Sequence, residues 1–193
     1  MVLASRNPGK LVELQELLAP LNWRLRLVSD FAGEIPEETG DTFEANALLK
    51  AEHAAGVSKL PAIADDSGIE VDALDGQPGV RSARFAGDHA TDAQNNQKLL
   101  RLLENVPNEN RGAQFVCVMA FVRAGAGEQP VVVRARWRGS ILRAPRGTNG
   151  FGYDPVFFVP THDCASAELP PDEKNRISHR AQAAAALLQK LRA

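Results

Sequence analysis

The stretch Pro61–Gly68, PAIADDSG, limits most sharply what this chain can fold into. Pro61, Ala62, Ile63 and Ala64 read as a short buried strand that stops at two adjacent acids, Asp65 and Asp66. Ser67 and Gly68 carry turn chemistry, so a turn is expected there, with a second strand alternating from Ile69 to Leu74. Carboxylates at the mouth of a strand are held by stiff backbone on one side and open to a ligand on the other. Two neighbouring anions repel one another, and a hard divalent cation such as Mg²⁺ relieves them. The plainer alternative is an acidic surface turn, because Asp and Ser are ordinary turn residues.

A chain of 193 residues is long enough for a substantial core, as one domain or one body with two lobes. Its 44% hydrophobic and 24% charged content is that of an ordinary globular protein. A formal net charge of −2 argues against a general polyanion binder but is compatible with a small basic pocket. Two cysteines, Cys117 in an apolar run and Cys164 in a polar loop, supply neither a disulfide framework nor zinc spacing. No apolar stretch approaches a membrane span, and the first residues lack the layout of a signal peptide. The expectation is a cytoplasmic protein with no membrane partner.

Several further stretches pair structural signals with chemical ones. Met1–Ala4 is a brief apolar run leading into Ser5-Arg6-Asn7-Pro8-Gly9-Lys10. Leu11, Leu14, Leu17, Leu18 and Leu21 follow at helical spacing. Strand, Gly-containing loop and helix is the order that aims backbone N–H groups at an anion, with Lys10 adding a cation. The loop is not a Walker motif, and Asn-Pro-Gly is also an ordinary turn. A second strand is expected over Leu25–Val28. Asp41 and Glu44 have the spacing of a capping box, predicting a helix that runs to about Gly56 and puts Asn46 and Lys50 on one face. Thr91 and Gln94 form another box before a leucine-rich helix. Phe115–Val122 reads as a central strand, apolar on both faces. In its partner, Val131–Arg138, the residues Val131, Val133, Ala135 and Trp137 share one face and Arg134, Arg136 and Arg138 the other. That arginine stripe is a solvated or subunit-facing surface, or a weaker candidate for nucleic-acid contact. Gly147–Phe158, GTNGFGYDPVFF, offers Phe151 and Tyr153 on a Gly-hinged loop, suited either to stacking on a flat base or to the core. His179 and Arg180 open the last helix, where cations are unfavourable for the helix dipole; that cost points to a ligand nearby, the alternative being a simple surface Arg.

Taken together, SRNPGK, EETG, TFEANALLKA, ADDSG, PGVRSARFAG, GFGYDPVF and SHR, in this order, resemble the inosine triphosphate pyrophosphatase family, the XTP/dITP diphosphatases. The match covers nearly the whole chain. Its departures are a minimal lead-in before the first strand and variable residues at Arg6 and Pro8. The resemblance implies an α/β fold: an elongated two-lobed body around a long mixed β-sheet, with flanking helices and a central cleft. It implies one nucleoside-triphosphate pyrophosphatase domain over 1–193 and a homodimer. By that resemblance Ser5, Arg6, Asn7, Pro8, Gly9 and Lys10 hold a triphosphate, with Lys50 near the phosphates and Ser67 on the substrate. Asp66 is the proton acceptor and a Mg²⁺ ligand, Glu38 a second ligand, and Asp65 an assistant at the metal. Phe151, Gly152, Tyr153, Asp154, Lys174, His179 and Arg180 form the base pocket. The implied reaction is hydrolysis of ITP, dITP or XTP to the monophosphate and pyrophosphate. A pyrophosphatase with another base preference and a non-catalytic RNA-binding module stand as alternatives.

Overall fold

The computed structural model describes residues 1–5, 7–31, 36–125 and 128–192. Seven strands form one mixed sheet: β1 (Val2–Leu3), β2 (Arg26–Leu27), β3 (Ala62–Val71), β4 (Gly112–Val122), β5 (Val131–Ile141), β6 (Phe157–Val159) and β7 (Cys164–Ala165). They are hydrogen-bonded in the order β2-β1-β3-β4-β5-β6-β7. The flanking helices are α1 (Pro8–Leu17), α2 (Phe43–Ser58), α3 (Asp92–Leu102), α4 (Pro171–Ile177) and α5 (His179–Arg192). The chain divides into two compact units: Met1–Asp66 with Cys117–Ala135 and Arg180–Ala193, and Ser67–Val116 with Arg136–His179.

In the first unit β1 runs parallel to both β2 and β3, with Val2 opposite Arg26 and Ala62. Parallel strands need their faces covered, and the leucine stripe of α1 supplies Leu14 and Leu18, both fully buried. Leu3, Ile63, Cys117, Met119, Phe121 and Leu187 complete that core. The first helix starts as its sequence suggests. Asn7 caps it, its side-chain oxygen accepting the Gly9 and Lys10 N–H groups at 2.8 and 3.3 Å, with Pro8 at the first helical position.

The second unit holds its own core of Ile69, Val71, Leu99, Leu103, Phe115, Trp137, Phe157 and Val159. There β5, β6 and β7 pair antiparallel. The capping box of α3 forms as expected, Thr91 accepting from the Gln94 N–H and Gln94 from the Thr91 N–H. Arg134, Arg136 and Arg138 are all exposed, and Arg138 pairs with Asp72 at 3.0 Å, so this charge stripe lies on a solvated sheet face.

Two expectations are corrected. The Ser67–Gly68 turn does not form, because β3 runs unbroken through DDSG for 10 residues. β3 lies between β1, which pairs with Ala62 and Ile63, and β4, and membership of that ladder outweighs the local turn preference. The start of α2 moves by one residue. Thr42, not Asp41, is the cap, its hydroxyl accepting the Ala45 N–H at 3.1 Å. The same helix passes through Gly56 and ends at Ser58, where Lys59 takes a left-handed conformation and returns its N–H to the Ala55 carbonyl.

Candidate functional site

Continuity of β3 decides the chemistry of the two adjacent acids. Successive side chains of a strand point to opposite faces, so Asp65 and Asp66 do not stand side by side as one anionic pair. Each has its own partners within the first unit. Asp65 takes Lys10 at 2.9 Å and the Arg180 guanidinium at 3.3 Å. Arg180 is 2% exposed and also reaches Glu13 of α1 at 2.7 Å. Two carboxylates therefore meet two cations on this face, and the charges balance. Burial works against the Asp65 anion, but Lys10 and Arg180 overcome it and hold its carboxyl well below the usual range.

The Asp66 face is built differently. Helix α2 places Asn46 and Lys50 one turn apart, both buried, facing the strand. The Lys50 ammonium donates to Asp66 at 2.8 Å and to Glu38 at 2.6 Å. The Asn46 amide reaches Asp66 at 3.4 Å, and its oxygen accepts the Gly40 N–H at 2.8 Å, which ties the segment after Glu38 to the helix. Here two carboxylates share the Lys50 ammonium, so these three groups together carry one negative charge in excess. Burial pushes the Asp66 carboxyl up; Lys50 pulls it back and Glu38 pushes it up again, and the net shift is upward. Burial likewise lowers Lys50, but Asp66 and Glu38 raise it further, so it stays an ammonium.

That excess charge bears on a metal. Among the described residues no group of three or more His, Cys, Asp or Glu could hold an ion unaided. Mg²⁺ does not need such a cage: it is commonly held by one or two carboxylates together with waters and substrate phosphates. Glu38 and Asp66 are hard oxygen donors, brought together by one ammonium and under-neutralised by it. They fit that mode, whereas Asp65 is already paired with Lys10 and Arg180.

The N-terminal loop satisfies several of its own backbone donors. The Gly9 and Lys10 N–H groups are taken by Asn7, and the Asn7 N–H goes to the Ser5 hydroxyl at 3.1 Å. Lys10 places its ammonium beside Asp65 at 2.9 Å, with the side chain 18% exposed. Pro8 and Gly9 form the exposed start of α1, Ser5 is buried, and Arg6 lies outside the described residues.

In the second unit a loop with three-residue hydrogen bonding holds the other candidates. Asp154 accepts the Phe151 N–H at 2.9 Å, the Lys174 ammonium at 2.5 Å and the Ser166 hydroxyl at 2.7 Å. Gly150 has a φ of 75°, and a Cβ there would lie 2.1 Å from the Asp154 carboxylate, so no other residue fits. Lys174 sits 5.3 Å from the centre of the Phe151 ring, which is 38% exposed. Phe151, Lys174 and Asp154 thus make a flat apolar face beside a donor and an acceptor. Tyr153 takes the other course open to its ring: it is buried and its hydroxyl donates to the Ser82 carbonyl at 2.8 Å. His179 is buried and stacked on Phe115, with centroids 4.7 Å apart and planes at 10°. Ser67 is half-buried on β3.

Within the first unit the structure groups Arg180 with Asp65 and Glu13. Sequence reasoning passed over Glu13, Ser166 and the aromatic bed under His179. One signal was legible: Glu13 is an acid one turn after Lys10, beside the buried stripe of α1.

Comparison with known proteins gives a consistent result. A family model described as the Ham1 family matches residues 1–190. A Pseudomonas aeruginosa protein named dITP/XTP pyrophosphatase is 54% identical over 191 residues, covering 99% of this chain and 96% of its own length. A solved HAM1 protein from Coxiella burnetii superposes with a TM-score of 0.91 at 49% identity, covering 98% of this chain and 96% of its own. A solved Mycobacterium abscessus protein, titled nucleoside-triphosphatase / dITP/XTP pyrophosphatase, matches with a TM-score of 0.72 at 47% identity, covering 99% and 95%. With the mixed sheet and the SRNPGK, DDSG and GFGYDP stretches all falling inside these alignments, the chain belongs to the Ham1 family.

Proposed function

We propose that this chain hydrolyses non-canonical purine nucleoside triphosphates, ITP, dITP and XTP, to the monophosphate and pyrophosphate. The observation that carries the reading is the under-neutralised group of Asp66, Glu38 and Lys50, set on β3 and α2. The names of its relatives point the same way.

The reaction is attack of water on the α-phosphorus with pyrophosphate as leaving group. Asp66 accepts the proton of the attacking water; its burial and its Glu38 neighbour raise its basicity toward that task. Lys50 fixes the carboxylate in place, so its proton-accepting oxygen is oriented before substrate arrives. A Mg²⁺ ion held by Glu38, Asp66 and the substrate's own phosphates would neutralise charge developing on the phosphoryl oxygens. A triphosphate is strongly anionic, so a surface with excess negative charge repels it unless a cation accompanies it. Lys10, beside Asp65 and 18% exposed, adds positive charge for the leaving group. Ser5, Asn7 and Ser67 contribute hydroxyl and amide groups around the phosphates.

Base choice rests on hydrogen-bond polarity. Hypoxanthine and xanthine present a 6-keto acceptor where adenine presents an amino donor. Phe151 supplies a ring to stack on, and Lys174, with three donors of which one goes to Asp154, matches the keto oxygen. His179 is a further donor. Adenine in that place sets donor against donor, a mismatch worth up to about 10⁴-fold.

The test is product identity and a substrate panel. ITP with Mg²⁺ should yield pyrophosphate and no orthophosphate, and Asp66→Asn should abolish turnover while leaving the circular dichroism spectrum intact. Equal rates on ITP, XTP, GTP, ATP and dTTP would overturn the base argument; orthophosphate release would overturn the reaction. Light scattering tests the homodimer that the resemblance implies.

A further inference from the structure

Helix α3 grips the base loop by a contact that none of the chemistry above uses. The Gly152 N–H donates to the Asp92 carboxylate at 2.7 Å, and the Gly152 carbonyl accepts from the Asn96 side-chain amide at 2.9 Å. Asp92 and Asn96 are four apart on α3 and so share one face. The N–H belongs to the peptide plane before Gly152 and the carbonyl to the plane after it. Holding both planes fixes the two dihedrals of Gly152, whose φ of 63° lies in the region that favours glycine. Those two dihedrals set the direction of Phe151 relative to Tyr153.

The platform is itself rigid. Leu99 is fully buried in the core, and the neighbouring Asn95 is bonded to the Ala83 carbonyl and the Ala86 N–H at 3.0 and 2.7 Å. Asn96 is 7% exposed, and its oxygen finds no partner, so the residue is kept buried for its donor alone. An unsatisfied buried oxygen is a cost that a purely apolar residue would avoid. Tyr153, on the far side of Gly152, is anchored at Ser82, and Asp154 at Lys174 and Ser166. Phe151 is itself tied to Asp154 through its N–H and its carbonyl, and the α3 grip fixes the Gly152 peptides between them.

We propose that Asp92 and Asn96 are positioning residues for base recognition, holding the Gly152 peptides so that the Phe151 ring is preset to stack on the base. This rests on reading Phe151–Asp154 as the base pocket. The reacting phosphorus is remote from the base, so the loss is expected in KM and in base discrimination more than in kcat.

Asp92 is exposed, so Asp92→Ala should fold. It should raise KM for ITP about tenfold and lower the ITP-to-ATP ratio of kcat/KM similarly, with kcat within about threefold. Asp92→Asn keeps an oxygen acceptor for the same N–H and should stay within about threefold of the parent. Asn96→Asp, equal in size, turns an acceptor toward the Gly152 carbonyl and should lose at least as much as Asp92→Ala. An unchanged KM in Asp92→Ala, a fall in kcat alone, or an equal loss in Asp92→Asn would overturn the proposal. Hydrogen exchange of the Gly147–Asp154 segment, read by mass spectrometry, tests the grip without any turnover. Protection should fall in Asp92→Ala and persist in Asp92→Asn; equal protection in both would refute it. A parent enzyme with no preference for ITP over ATP would instead refute the base-pocket reading, and is seen before any variant is made.

Discussion

Replacing Lys50 by Met tests the charge arrangement of the Asp66 face directly. Lys50 is 4% exposed and is the cation that Asp66 and Glu38 share. Removing one partner of a buried ion pair costs about 3–5 kcal/mol, because the remaining charge stays desolvated. The Glu38 side chain is 31% exposed, so water screens most of its share; the Asp66 side chain, 8% exposed, carries the loss. Methionine fills the space of the lysine stem, and Asn46 still touches Asp66. The lower end of the range, about 3 kcal/mol at pH 7, is therefore expected. For a chain of this size that lowers Tm by about 6–12 °C. The cost should depend on pH in a defined direction. Asp66 is already raised above its ordinary value, and losing Lys50 raises it further. A carboxyl raised in the folded state binds its proton more tightly there, so stability returns as pH falls through the raised value toward 3.8. Urea unfolding followed by circular dichroism should show the Lys50→Met deficit shrinking between pH 7 and pH 5. Asp66→Asn added to Lys50→Met should recover at least half of the deficit. A loss under about 1 kcal/mol at pH 7, a deficit independent of pH, or no recovery in the double variant would refute the reasoning.

Other expectations follow from the same geometry. Asp65 is held below its ordinary 3.8, so its contribution is present above that pH and is lost as pH falls below it. Asp65→Asn should cost about 3 kcal/mol at pH 7 by leaving Arg180 and Lys10 under-paired, and its urea midpoint should fall less steeply than the parent's below pH 4. The Cys117 thiol is buried and pushed up to about 12 by that burial and by Asp65, so native protein at pH 8 should take iodoacetamide at Cys164 alone, as peptide mapping will read. Arg111 is buried and donates to the carbonyls of Leu103, Ile141 and Leu142. Arg111→Met should lower stability by about 3 kcal/mol, measured by urea midpoint, since those acceptors lose a charged donor.

Much of the scaffold was legible because it is written locally. The Asn7 and Thr91 caps, the leucine stripe of α1, the alternation of β5 and the shared face of Asn46 and Lys50 each follow from neighbours a few residues away. The misreadings share one cause. Ser67-Gly68 favours a turn until the strand that contains it joins the sheet, and β4, its neighbour there, is not adjacent in sequence. That single change sends Asp65 and Asp66 to different partners, and with it went the expectation of one joint acidic site. The bond between Arg180 and Asp65 spans 115 residues, and no spacing rule reaches that far. The Asp92 grip on Gly152 spans 60 residues and was invisible for the same reason.

The distance in sequence between Asp65 and Arg180 also orders events during synthesis. A growing chain makes Glu13, Lys10 and Asp65 early, but the guanidinium that joins Glu13 to Asp65 arrives only after the whole of Ser67–His179 has been translated. Until then Asp65 lacks the guanidinium that joins it to Glu13, so the charge pairing of this face is completed last.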